Sequence, residues 1–332
     1  MGNGFSLIAL PQWYREWGSM YGKNGFLQAS RSAQWDTTDL KDLSGRVHII
    51  TGGNAGIGFE VAKELARRNA IVHMLCRNKE RGEAAREQIA KETGNSQVFL
   101  HTVDVSSAQS CRSFAEKFLE SNEKLHVLVN NAGILPTERE TTVDGLESCM
   151  ATALGGSFLL TGLLLPALKN AKPSVVVNVT SAGMYLAKTD VDDLEMKKRK
   201  FDGFLQYCRA KRAQVELSEI WSEKLGGSGI SFHSMHPGYA VTPGVEKLPG
   251  LGDRKPGGFI EQHGPSLRSA AQGADTIVWM ASAPVVSSST GKLWFDRRAV
   301  HTSFPLSFTT LNQSEREILW RRCGELMGWK LE

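Results

Sequence analysis

Thr51-Gly-Gly-Asn-Ala-Gly-Ile-Gly58 is the stretch on which the reading of this chain turns. A short apolar run, residues 47–51, leads into it, and a helical pattern over residues 60–68 leads out. Gly52, Gly56 and Gly58 therefore stand where a strand gives way to a helix that opens near Ile57. Glycine is needed where such a turn is tight and where backbone must touch a pyrophosphate. The helix N-terminus then offers free N–H groups and the positive end of its dipole. A strand-to-helix turn without a ligand would look similar, so the reading rests on the motifs further along the chain.

Working outward, β-branched runs alternate with helical stretches. The runs are residues 47–51, 71–76, 97–103, 125–130, 175–180 and 230–236, with 292–295 a seventh. Several are almost continuously apolar, as a strand covered on both faces must be. Helical patterns cover residues 79–91, 108–120 and 206–225, and a last helix from Ser314 to near Trp329 carries a Ser314/Glu317 capping box. This alternation predicts an α/β chain, a Rossmann-type doubly wound parallel sheet of about seven strands in one domain. It divides the chain into an aromatic N-terminal extension (1–40), the sheet domain (41–300) and a C-terminal tail and helix (301–332). Residues 182–205, rich in Lys and Asp, and 243–268, rich in Gly and Pro, interrupt the repeat, the second with the composition of a mobile loop.

The other informative elements fall at the carboxyl ends of the strands, where such sheets bind ligands. They are Asn130-Asn-Ala-Gly133, Ser181, Tyr207-Cys-Arg-Ala-Lys211 and Pro237-Gly238 with Thr242. Each is weak alone; their order is specific. From about Lys41 onward the chain resembles the short-chain dehydrogenase/reductase superfamily. That resemblance implies nucleotide contacts from Gly52, Asn54, Gly56, Ile57 and Gly58. It implies others from Asp104 and Val105 beside the adenine, and from Asn130, Asn131, Ala132 and Gly133 along the ribose. Pro237, Gly238 and Thr242 would meet the nicotinamide and its phosphate. Tyr207 and Lys211 would be shared between cofactor and chemistry, and Ser181 would orient the substrate oxygen. Tyr207 and Lys211 lie four apart on one helix face. A tyrosine titrates near ~10; a neighbouring ammonium favours the phenolate and would bring it down.

NAD-specific relatives place an acid at the end of the second strand. Here Cys76 holds that position and Arg77 comes next, with Lys79 and Arg81 beyond. A guanidinium suits a 2′-phosphate, so NADP(H) is the expected cofactor, unless Arg77 is a plain surface charge. The chain departs from the family pattern twice. Ser181 and Tyr207 are 26 positions apart, roughly twice the compact spacing, as in retinol-dehydrogenase-like relatives. The asparagine that completes the family's catalytic tetrad is replaced by Ala153. The resemblance implies hydride transfer between NADP(H) and a small, lipophilic carbonyl or alcohol. The Ala153 departure keeps a second reading open, an NADP(H)-binding scaffold or sensor with little chemistry.

Composition excludes other classes. The net charge of +4 is diffuse, and the densest basic run, residues 197–200, reads as a solvated loop, so no nucleic-acid partner is expected. Five widely spaced cysteines without a Cys-x-x-Cys pair point to free thiols in a reducing compartment, hence a cytoplasmic location. None of the eight histidines pairs as metal ligands would, so no metal is expected; His233 and His236 read as structural. No apolar run is long enough to span a membrane and no secretory signal is visible. Met1-Gly2-Asn-Gly-Phe-Ser6 does match an N-myristoylation signature, and Trp13, Tyr14 and Trp17 lie shortly after it. Two readings stand: peripheral membrane contact through an interfacial helix, or an extension packed on its own domain. The oligomeric state stays open.

Overall fold

Each strand of β4 (Val127–Asn130), β5 (Ser174–Val179) and β6 (Ile230–Met235) is buried along its whole length. A strand covered on both faces is buried throughout, and here it takes in polar residues too, among them Asn130, Asn178 and His233. The computed structural model describes residues 4–33, 35, 41–121, 124–242 and 266–331. With β1 (Val47–Thr51), β2 (Ile71–Cys76), β3 (Val98–Thr102), β7 (Leu293–Phe295) and β8 (Arg298–Val300), these strands form one sheet in the order β3-β2-β1-β4-β5-β6-β7-β8. All neighbours pair parallel except β7 with β8. Strand order reverses between β1 and β4, and the crevice beyond their carboxyl ends is where a doubly wound sheet takes a ligand.

One apolar core packs the helices Ala108–Ser121, Gly203–Lys224 and Gln313–Met327 on one face of the sheet. A second packs Gly56–Arg67, Lys79–Thr93 and Ala270–Met280 on the other. The predicted strands and helices are all present, with ends moved by a few residues.

The eighth strand was not expected. Asp296 and Arg297 both sit at positive φ, 49° and 56°, and turn β7 back on itself in two residues. That is a type I′ geometry in which Asn-Gly would advertise the hairpin and Asp-Arg does not. The last helix is capped by Asn312 with Glu315, in place of the expected Ser314 and Glu317. The Asn312 side chain accepts from the Glu315 N–H at 3.0 Å, and the Ser314 hydroxyl donates to Asn312 at 3.0 Å. The helix stops at Met327 because Gly328 turns left-handed.

The N-terminal extension folds onto the sheet domain through Ala9–Glu16 and Lys23–Ser32. Ser6 N–H donates to the Leu186 carbonyl at 2.7 Å, and the buried Trp13 indole to the Ala182 carbonyl at 3.1 Å. The Arg268 guanidinium donates to the carbonyls of Met20 and Tyr21, each at 2.9 Å, while forming a bidentate pair with Asp296. Trp13 and Tyr21 thus belong to the protein's own core. This is the packed-extension alternative and not a free interfacial helix. Gly2, the Trp17 side chain and residues 243–265 of the Gly/Pro-rich segment lie outside the described residues. Residues 197–200 are exposed, as expected of a solvated run. All five cysteines are free and buried, and no group of metal-ligating side chains occurs among the described residues.

Candidate active site

The turn after β1 is built by steric necessity. Gly52 sits at φ +70°, and a Cβ on Gly58 would lie 2.4 Å from the Gly52 carbonyl oxygen and 2.5 Å from the Asn131 amide. That amide donates to the Thr51 carbonyl at 2.9 Å, and the Thr51 hydroxyl accepts from the Ala132 N–H at 2.9 Å. The β1 turn and the β4 turn are therefore tied together across the switch point. Between them opens a cleft of about 380 Å³.

Its walls hold Gly52, Asn54, Gly56, Ile57 and Gly58, then Arg77, Asp104 and Val105, then Asn131, Ala132 and Gly133. Tyr207, Lys211, Pro237 and Thr242 complete the set brought together from the sequence reading. Three predicted residues stand back from the walls: Ser181, which reaches the cleft through its hydrogen bond to Tyr207, and Asn130 and Gly238. Asn130 is buried beneath, donating to Asn178 at 2.8 Å and Thr161 at 3.1 Å, so it braces β4 against β5. Gly238, at φ +73°, leaves room for the Arg268 side chain and the Tyr21 carbonyl. Sequence reasoning missed Asn78, Ile134, Leu135, Thr152 and Thr180 as lining residues, because none belongs to a motif.

At the end of β2, Cys76 is buried, and its sulfur receives the N–H groups of Gly53 and Asn54; burial pushes its thiol up to about 11. It serves the turn as a neutral brace, and no carboxylate occupies the ribose position. Arg77 is exposed on the cleft wall beside Arg81, and no acidic side chain among the described residues pairs with it. A glycine cradle with a guanidinium on its wall that has no acidic partner among the described residues fits a dinucleotide bearing an extra phosphate.

The long helix Gly203–Lys224 starts where Asp202 accepts the Leu205 N–H at 2.9 Å. It carries Tyr207 and Lys211 on the face toward β5. Ser181, just beyond β5, hydrogen-bonds the Tyr207 side chain. Its Oγ also accepts from the Gly183 N–H at 3.2 Å. Thr180 braces the helix by donating to the Lys211 carbonyl at 2.6 Å. The Lys211 ammonium donates to the Val179 carbonyl at 2.7 Å and to Gln214 Oε1 at 2.9 Å. An ammonium has three donors, so one is left for the cleft that Lys211 lines.

Burial lowers Lys211 to about 8. Burial also raises the Tyr207 hydroxyl well above its ordinary value, with the Ser181 hydrogen bond opposing. The lowering expected from Lys211 is therefore outweighed: the ammonium stands 5.7 Å from the ring centroid and is engaged elsewhere. Tyr207 is held as an acid.

Ala153 lies buried in the Ser148–Leu154 helix, and its carbonyl accepts the Ser157 hydroxyl at 2.6 Å. Ser157 Oγ in turn accepts from Gln214 Nε2 at 3.2 Å. Lys211 is thus linked through Gln214 and Ser157 to the backbone at Ala153, where the family uses an asparagine side chain. Gln214 was not foreseen; its position three residues after Lys211 on the same helix face was the available signal.

Comparison with known proteins assigns the family. The short chain dehydrogenase family profile matches residues 46–249. Human dehydrogenase/reductase SDR family member 12 is 39% identical over 316 residues, covering 95% of this chain and 96% of that one. Human retinol dehydrogenase 12 is 36% identical over 290 residues, 87% of this chain and 89% of its own. Among solved structures, an uncharacterized protein from Mycobacterium paratuberculosis superposes with a TM-score of 0.69 at 27% identity, over 89% of this chain and 97% of that one. The chain belongs to the short-chain dehydrogenase family. It is an oxidoreductase of the kind that interconverts CH–OH and C=O groups on small molecules.

Proposed function

We propose that the protein is an NADP(H)-dependent reductase of a small lipophilic aldehyde or ketone, working in the cytosol. The observation that carries this reading is the convergence of Ser181, Tyr207 and Lys211 at the end of a glycine cradle whose far wall presents Arg77. Bound NADPH supplies the hydride. Ser181 and Tyr207 hold the carbonyl oxygen between two hydroxyl groups, and Tyr207 gives it a proton as the C=O bond is reduced. A protonated Tyr207 can supply the proton that reduction requires, and NADPH usually serves as a reductant, which favours reduction over alcohol oxidation. Lys211, with its free donor on the cleft, holds the ribose hydroxyls, and Gln214 fixes its direction. Near Tyr207, Trp13 packs edge to face on Tyr239 with centroids 5.8 Å apart, an apolar wall that suits a lipophilic substrate. Retinol dehydrogenase 12, at 36% identity, lends that substrate class further support.

Ala153 keeps the scaffold reading in view. The Gln214–Ser157 link speaks against it, because it maintains a lysine that a scaffold has no use for. NADPH consumption against a panel of aldehydes and ketones tests the proposal. Turnover of at least one lipophilic member is expected; tight NADPH binding with no consumption across the panel would favour the scaffold.

A further inference from the structure

Among the described residues, five of the nine large exposed apolar side chains gather in one group. Leu306 and Phe308 are 71% and 74% exposed, and Leu7 and Ile8 are 75% and 46% exposed. The two segments lie side by side. The Ser6 hydroxyl donates to the Ser307 carbonyl at 2.8 Å, and the Gln12 amide to the Pro305 carbonyl at 3.3 Å. Phe5 extends the group by meeting Phe204, itself 40% exposed, at 5.8 Å between centroids.

The exposure is built into the backbone. Leu306 and Phe308 sit at φ +58° and +54°, the left-handed region that bulky side chains rarely enter. The loop therefore holds two large apolar residues in a costly conformation that leaves them in water, and such strain points to a use outside the fold. Buried polar contacts fix the loop, since the Ser307 and Thr309 hydroxyl groups hydrogen-bond each other at 3.1 Å.

Charge sits beside this face. A Cβ on Gly4 would come within 2.9 Å of the Arg199 guanidinium, which places the exposed run of Lys197, Lys198, Arg199 and Lys200 against the start of the same N-terminal segment. Lys197 pairs with Glu195 at 2.6 Å. Aromatic and aliphatic side chains next to clustered Lys and Arg match a bilayer interface with anionic headgroups, the first entering the acyl boundary and the second meeting the charge.

We propose that the face formed by Leu7, Ile8, Phe204, Leu306 and Phe308, with residues 197–200 at its edge, docks on an anionic membrane surface. This goes beyond an N-terminal anchor, because a loop from the far end of the chain and a basic run from its middle share the contact. It does not depend on the reductase reading. The face lies on the side of the molecule where Ser6 and Trp13 bind the Ala182–Leu186 segment behind Ser181, so docking would bring membrane-dissolved substrates near the site.

The test is flotation of the full, unacylated chain with vesicles of phosphatidylcholine alone or mixed with phosphatidylserine. The chain is expected to float with the anionic vesicles and to be released by high salt. Leu306→Gly/Phe308→Gly should lower the bound fraction by about tenfold or more while keeping or raising the melting temperature, since glycine relieves the left-handed strain. Lys198→Glu/Arg199→Glu/Lys200→Glu should lower it comparably on anionic vesicles. Both variants should keep the wild-type NADPH affinity, which shows that the fold survives. The proposal is overturned by wild-type protein that stays unbound, by equal binding to neutral vesicles, or by a glycine variant that binds as well as wild type. A dimer that dissociates in the glycine variant without vesicle binding would assign the face to a second copy and overturn it too.

Discussion

At the end of β2 one side chain decides which nucleotide fits. Arg77 has no acidic partner among the described residues and faces the cleft, while Cys76, buried as a neutral thiol, supplies no clamp for a ribose hydroxyl. NADPH is expected to bind at least about tenfold more tightly than NADH, a difference of only ~1.4 kcal/mol, within reach of one charge-assisted contact. Arg77→Ala should abolish most of that preference in fluorescence titrations of both cofactors. Lys211 gives the second residue-scale expectation. Its folded pKa of about 8 is depressed from the ordinary lysine value by burial. As pH rises through 8, the free protein loses the ammonium that would hold the ribose, and a dissociation constant for NADPH that is flat below this pH should climb above it. Tyr207, raised by burial, stays protonated across the same range. A profile flat to pH 9 would remove Lys211 from the ribose contact. Tyr207 and Lys211 were legible from their spacing together with the order of the motifs before them. Gln214 and Thr152 were not, because their roles come from where distant segments pack.

Among elements, the β1 turn is the least tolerant. Gly58→Ala would set a Cβ against the Gly52 carbonyl and the Asn131 amide, and the flexible amide is the only one of the two able to move. Forcing it away breaks the tie to the Thr51 carbonyl. Overpacking of this kind costs about 1–3 kcal/mol, and the damage falls on the cradle. NADPH affinity is expected to drop by more than about tenfold with the far-UV dichroism unchanged; an alanine variant that binds normally would mean the turn does not touch the nucleotide. The strands and the turn could be read from sequence because their glycines and apolar runs are local signals. The β7–β8 hairpin could not, since its Asp296-Arg297 turn is stabilised from outside: Asp296 pairs with Arg268, and Arg297 with Asp275.

For the whole molecule, the Arg268–Asp296 pair joins the N-terminal extension, the β7–β8 turn and the end of the glycine–proline-rich stretch. Both side chains are almost fully buried, and Arg268 also satisfies the carbonyls of Met20 and Tyr21. Arg268→Ala would leave Asp296 charged and alone, a loss of about 3–5 kcal/mol. A denaturant midpoint near wild type would contradict that account, whereas Arg268→Met with Asp296→Leu should recover part of the loss. The parallel, doubly wound sheet was legible in the strand–helix alternation, whereas the docking of the extension stood there as one of two readings. Its aromatic residues suited a membrane interface or a core, and the burial of Trp13 and Tyr21, with the hydrogen bond from Trp13 to Ala182, places those two in the core.

The claim that joins these scales is that a half-buried, protonated Tyr207 completes the reduction of a carbonyl. Its most direct test is NADPH-dependent turnover of the best substrate from the aldehyde and ketone panel, measured beside NADPH binding on the same samples of wild type and Tyr207→Phe. The account predicts that the phenylalanine variant binds NADPH as wild type does and loses turnover by about a hundredfold or more. A Tyr207→Phe protein that reduces the substrate at the wild-type rate would contradict it.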